Sequence, residues 1–151
     1  MPRLFEKRTV IPTSIERMTA FHNAPGAFAR LTPPPIFMQM IHDRRTSLTD
    51  GELTFRLWFG PFPVKWTARH EAGPTPTSFA DRQISGPLES WYHQHIFSQV
   101  EGGVELYDKI IFEHKSGWKG LLTRLVFDGP PLQILFLYRH WRTRQALVNR
   151  S

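Results

Sequence analysis

From about residue 36 to residue 114 apolar and polar side chains alternate, and short turn-forming clusters interrupt the pattern. Alternation with a period of two puts successive side chains on opposite faces of a strand. This stretch is therefore expected to form antiparallel strands with one buried face. The breaks fall at Thr49-Asp50-Gly51, Gly60-Pro61, Gly73-Pro74 and Gly102-Gly103, where glycine and proline favour tight turns. About six strands result, and residues 3–11 read as one more, ending at Pro12.

Two short helices separate the first strand from the others. Thr13 followed by Glu16 reads as a capping box for a helix from Ser14 to about Asn23. Ala24 to Leu31, with Pro25 near its start, reads as the second, and Thr32-Pro-Pro-Pro35 ends it. Asp128-Gly-Pro-Pro131 opens a long C-terminal helix reaching about Val148, with its prolines tolerated in the first turn. The expected fold class is α+β: a curved antiparallel sheet of about seven strands wrapped around a long C-terminal helix, with two short helices after the first strand. The concave face of such a sheet needs a cover, and the last helix is the long element available. Its first half, Leu132 to Tyr138, is apolar on nearly all sides and is expected to be widely buried.

Composition narrows the function classes. The 151 residues are 40% hydrophobic, which predicts a single domain over 1–151 with a sizeable core. The absence of cysteine excludes disulfides, thiolate-bound zinc and a thiol nucleophile. Charges at Arg3, Glu6, Lys7 and Arg8 occupy the place of a signal peptide's apolar run. No apolar segment is long enough to span a bilayer, so the expected localisation is cytoplasmic. The net charge of +6 is dispersed, apart from Arg44-Arg45 and the tail Arg139, His140, Arg142, Arg144 and Arg150. A solvated helix face accounts for such a tail, and nucleic acid is not the expected partner.

Alternation also locates the chemistry. Val104, Leu106, Asp108, Ile110 and Phe112 share the apolar face of one strand, as do Val64, Trp66, Ala68 and His70 of another. Leu53, Phe55, Leu57 and Phe59 do the same in a third. With Gly102-Gly103 as the turn, Phe97 pairs with Asp108, His95 with Ile110 and His93 with Phe112. Opposed residues point to one face, so Trp91, His93, His95 and Phe97 face inward. If Ser85 faces Trp91, Gln83 meets His93 and Asp81 meets His95. A polar group, Asp81, Gln83, His93, His95 and Asp108, thus lies on an otherwise aromatic and aliphatic surface. Buried polar side chains must bond one another, water or a ligand, and a cavity with a hydrogen-bonding floor meets that condition.

The pattern resembles the START-like SRPBCC superfamily, the helix-grip fold, along essentially the whole chain. Within it the sequence is similar to bacterial ligand-binding SRPBCC domains. The resemblance rests on Ala20 to Phe28 with Leu31 and Pro33-Pro34; on Phe79, Asp81 and Gln83; on Gly86-Pro87, Trp91, His93, His95 and Phe97; and on Leu106, Asp108, Phe112 and Phe136-Leu-Tyr-Arg139. It implies a hydrophobic cavity between sheet and helix, used to carry, sense or transform small apolar molecules; fold does not settle which. Leu57, Trp66, Phe97, Ile110 and Phe136 are the candidate apolar wall for a small hydrophobic ligand.

Three chemistries fit the polar floor. His93 and His95 could ligate zinc with a third ligand from His70, Asp81 or Asp108. Bonded to the two aspartates they need no metal, and that is the expectation, with no cofactor. A His95–Asp81 or His95–Asp108 pair could instead remove a proton from a carbon acid, which makes His95, Asp81 and Asp108 the catalytic candidates of a polyketide cyclase or dehydratase-like enzyme. The binding reading comes first and the enzyme second. A third is an interaction protein using the basic helix and the outward Trp58 and Tyr107. His22 and His42 read as surface or rim residues and His114 as solvated. Ligand identity and oligomeric state stay open.

Overall fold

The computed structural model describes residues 1–148. Seven strands form one sheet: β1 (Arg3–Ile11), β2 (Phe37–Asp43), β3 (Gly51–Phe59), β4 (Phe62–Ala72), β5 (Ser78–Ser85), β6 (Ser90–Val100) and β7 (Gly103–Glu113). Their order is β1-β7-β6-β5-β4-β3-β2, with every neighbouring pair antiparallel. Helices α1 (Ile15–Asn23) and α2 (Ala27–Arg30) follow β1, and α3 (Gly117–Val126) and α4 (Gly129–Val148) follow β7. Trp91, His93, His95 and Phe97 are buried in β6, and Leu106, Asp108, Ile110 and Phe112 in β7, as the alternation requires.

The strand registers differ from the sequence-derived pairing by two residues. Val100 pairs with Gly103, so Glu101-Gly102 makes the turn, and His95 opposes Asp108 while His93 opposes Ile110. Gly102 takes a left-handed φ of 93°, whereas Gly103 already belongs to the strand. A Cβ on Gly103 would come within 2.1 Å of the Ile11 carbonyl oxygen on β1. On the other side Asp81 opposes His93 and Phe79 opposes His95. The β5–β6 connection is wider than a simple loop, because the Gln83 side chain fills it and bonds both backbone groups of Leu88, at 2.8 and 3.1 Å. A slip of two keeps every side chain on its face, whereas a slip of one would have inverted the floor.

The helices depart from expectation in three places. Ser14 is the N-cap of α1, its Oγ accepting from the Arg17 N–H at 3.2 Å. The Thr13 hydroxyl is buried without a partner, so the Thr13–Glu16 capping box does not form. Helix α2 is limited to Ala27–Arg30 because Gly26 takes φ 78° immediately before it. Helix α3 occupies a stretch that the strand pattern leaves unassigned. Its Gly120 has a packing reason: a Cβ there would meet the Lys115 carbonyl oxygen at 1.7 Å.

Helix α4 lies across the concave face and buries one stripe, Leu132, Phe136, His140, Thr143 and Leu147. Phe136 packs on Phe5 of β1 with ring centroids 5.1 Å apart. The expected wide burial of its first half does not occur. Ile134 and Leu137 stay more than half exposed, as does Trp141 beyond them, and Trp118, Leu122 and Leu125 of α3 are exposed as well. The sheet covers only one side of the helix, and α3 does not wrap the other.

The outward aromatics have partners within the chain. Tyr107 is buried beneath the Arg8 guanidinium, 3.6 Å from its ring centroid, and donates to the Glu6 carboxylate. Trp58 donates from Nε1 to the Gln39 side-chain oxygen at 3.0 Å. Among the described residues no helix is long and apolar enough to cross a membrane. Of the basic tail, Arg150 lies outside the described residues.

Candidate functional site

Strands β5, β6 and β7 bring Asp81, His93, His95 and Asp108 together on the concave face. His93 Nε2 donates to Asp108 Oδ1 at 2.7 Å, and its Nδ1 lies 3.7 Å from Asp81 Oδ2. His95 is arranged the opposite way: Nε2 donates to Asp81 Oδ2 at 2.7 Å, and Nδ1 lies 3.4 Å from Asp108 Oδ1. The two imidazoles stack with centroids 3.6 Å apart. Two rings and two carboxylates therefore alternate around a closed circuit. Phe79 stacks on the outer side of His95 at 4.2 Å, and Phe136 meets His93 edge-on at 5.3 Å.

Helix α4 closes the circuit from above. His140 Nε2 donates to Asp108 Oδ2 at 2.6 Å, and its Nδ1 is 2.6 Å from the Thr9 hydroxyl on β1. One carboxylate thus ties β6, β7 and α4 together, through α4 to β1. His140 belongs to a basic tail expected to be solvated, and the structure buries it. Spacing gives the reason: His140 follows Leu132 and Phe136 at steps of four, the inward stripe of the helix.

Burial is the largest influence on both carboxylates and pushes them up, but hydrogen bonds and charge reverse it. The His95 bond and the nearby His93 hold Asp81 well below the usual carboxylate range. The His140 and His93 bonds do the same for Asp108. Burial lowers His95, helped by the adjacent His93. Burial also lowers His70, whose Nδ1 donates to the Leu48 carbonyl at 2.8 Å.

A cavity of about 460 Å³ lies between this cluster and α4. Its wall includes Phe28, Leu57, Trp66, Trp91, Leu135 and Phe136, together with the polar Asp81, His93 and His95. The other sequence candidates lie elsewhere. Asp108, Phe97 and Ile110 form the layer behind the wall, each buried but not facing the space. Gln83 is outside the cluster, with its amide committed to Leu88; the two-residue register difference carries it toward the loop.

Three further residues correct the sequence reading. His22 is not a surface group: it lines the cavity, 4.9 Å from the Phe97 ring and 6.3 Å from His95. Its Nδ1–H donates to the Met18 carbonyl at 2.9 Å, and burial pushes its pKa down to about 4. His114 is buried, not solvated, bridging the Thr123 hydroxyl at 2.8 Å and Asp128 at 2.9 Å, which anchors α3 to the start of α4. Arg139, read as part of the tail, faces the cavity. Asp81, His93 and His95 each present one ligand atom within 4.8 Å of the others. His93 Nδ1 makes no hydrogen bond among the described residues and could ligate a divalent cation while Nε2–H stays on Asp108, whereas ligation through His95 Nε2 would break its bond to Asp81.

The chain has the helix-grip fold, with seven antiparallel strands curved around a C-terminal helix and a cavity between them. It is similar to the solved structure of a nucleoside-diphosphate sugar epimerase from Corynebacterium glutamicum, with 27% identity over 93% of this chain and a TM-score of 0.67. The chain spans only 28% of the length of that protein. It is also similar to the Zhui aromatase/cyclase of a Streptomyces species, at 12% identity, covering 100% of this chain and 99% of that one with a TM-score of 0.67. A major latex-like protein from Panax ginseng matches at 11% identity, with 97% and 98% coverage and a TM-score of 0.68. No protein-family model and no curated protein sequence matches the chain.

Proposed function

We propose that the protein binds a small apolar or aromatic molecule with one polar end, as a carrier or sensor. The observation that carries this is the cavity itself: about 460 Å³, walled mainly by aromatic and aliphatic side chains, with Asp81, His93 and His95 among its few polar groups. Ligand sites typically have this size and this division of labour, apolar area supplying affinity and a few polar groups supplying orientation. Asp81, His93 and His95 orient the ligand; Leu57, Trp66 and Phe136 hold its body; Asp108, Phe97 and Ile110 support that floor from behind. The site works without metal or cofactor. Native mass spectrometry of the protein purified from its own host tests the reading. A retained small molecule supports it, and a bare polypeptide that also takes up no aromatic or aliphatic probe rejects it.

The second reading is an acid–base enzyme of the cyclase or dehydratase type, favoured by the 2.7 Å His95–Asp81 pair on the cavity wall. A catalytic base needs a nitrogen or oxygen free to take the substrate's proton. Both ring nitrogens of His95 face carboxylates, which suits orientation better than proton abstraction. Turnover abolished by Asp81→Asn or His95→Gln would establish the enzyme in place of the carrier.

A further inference from the structure

Arg139 differs from every other charged group on the cavity wall. It follows Phe136 by three positions on α4, so the two share the inward face. Its guanidinium carbon lies 5.1 Å from the Phe136 ring centroid and 5.2 Å from that of Phe28, and both rings line the cavity. Its Nε is inaccessible and unbonded, and its side chain has no hydrogen bond or ion pair among the described residues. The comparison with Arg45 is direct: that guanidinium also lines the cavity, but Asp43 holds it at 2.6 and 2.9 Å. Asp81 and Asp108 act on Arg139 by charge without reaching it as ion pairs, and their oxygens are taken by His93, His95 and His140.

A guanidinium stays charged in a protein and presents a planar fork that matches a carboxylate. Placing it on a largely apolar wall with no anion in hydrogen-bonding reach is unfavourable, and burial lowers its pKa against the opposing charges of Asp108 and Asp81. The other polar group nearby does not compete for an anion. His22 donates its Nδ1–H to Met18, so its second nitrogen in the neutral ring is an acceptor. One cation between two aromatic rings suits a single negative charge. A doubly charged phosphate would be left half neutralised beside two aspartates.

We propose that the cavity's ligand is a singly charged carboxylate on an apolar or aromatic body, and that Arg139, between Phe28 and Phe136, receives the carboxylate. This rests on the ligand-binding reading and adds the chemical class of the ligand. The test is a pair of probes that differ only at the polar end, 2-naphthoate and 2-naphthylmethanol, titrated by fluorescence against the full chain near neutral pH. The wild type should prefer the naphthoate by about tenfold or more, as a desolvated charge-assisted pair gives. The preference should persist in about 0.5 M salt, which would screen an exposed pair. In Arg139→Met the ratio of the two affinities should fall to near one, whatever the absolute values, and Arg139→Lys should fall between. Equal affinity in the wild type, or an unchanged ratio in Arg139→Met, overturns the assignment of the carboxylate while leaving the cavity reading intact. If neither probe binds the wild type, the cavity reading falls and this inference with it. Should Arg139→Met not fold, the wild-type ratio and Arg139→Lys still decide.

Discussion

Replacing His140 with phenylalanine keeps an aromatic ring of similar size between α4 and the sheet while removing both of its polar contacts. Two bonds disappear, to Asp108 Oδ2 and to the Thr9 hydroxyl, each 2.6 Å long. Asp108 is only 4% exposed, so water cannot replace the lost donor. A hydrogen bond to a charged group contributes about 1.5–3 kcal/mol and a neutral one about 1 kcal/mol. The phenyl ring offsets part of this through its own burial, leaving an expected loss of about 3 kcal/mol. For a chain of this size that is a Tm lower by about 6–12 °C, measured by thermal and urea unfolding. The pH dependence adds a second check. Asp108 sits below its ordinary value of 3.8 in the folded protein, so its contribution is present above that value and is lost as pH falls through the folded value. His140→Phe weakens the contribution, so the gap between variant and wild type should be full at neutral pH and narrow on acidification. A variant within about 0.5 kcal/mol of the wild type at neutral pH, well inside the ordinary surface-substitution range, or a gap that widens in acid, would refute the reasoning.

His22, pushed down to about 4 from 6.5, is held neutral, so wild-type stability should fall between those two pH values, by up to about 3 kcal/mol; His22→Gln should flatten the slope in a pH series of urea melts. His95→Ala leaves Asp81 without its 2.7 Å donor and should cost about 1–3 kcal/mol while weakening 2-naphthoate; His95→Gln should restore part of both, and normal melting and binding by His95→Ala would count against the site. Truncation after Pro131 removes Leu132 and Phe136 from the core and should abolish soluble folding, so a soluble fragment with a cooperative melt would contradict the role given to α4. Metal analysis of untagged protein should find no stoichiometric zinc, and zinc lost on His93→Ala would replace the His93–Asp108 and His95–Asp81 hydrogen bonds with a metal site.

The faces of the strands were legible because alternation is insensitive to the error that pairing rules make. Placing both glycines in the β6–β7 turn was wrong by two, yet His93, His95 and Asp108 still shared a face. Gln83 shows the limit of that tolerance. It lies on the floor's side of β5, but two residues of register decide whether it meets His93 or the loop at Leu88. The helices were harder to read because a tail rich in arginine looks solvated until its stripe is counted in steps of four, which puts His140 beneath Phe136. The i+3 step from Phe136 puts Arg139 on the inward face, but its second aromatic neighbour, Phe28, lies more than a hundred residues earlier and no local pattern reveals it. Helix α3 is hard to read because glycine disfavours a helix interior, although Gly120 is there for the close approach of Lys115.

The most direct test of the account is where a bound molecule sits. Nuclear Overhauser contacts between 2-naphthoate and leucine methyls, in otherwise deuterated protein, distinguish the cavity from the exposed apolar face. The account predicts contacts to Leu57 and Leu135, which line the cavity, and none to Leu121 or Leu122, which are exposed on α3. Contacts confined to Leu121 and Leu122, with Leu57 silent, would contradict it.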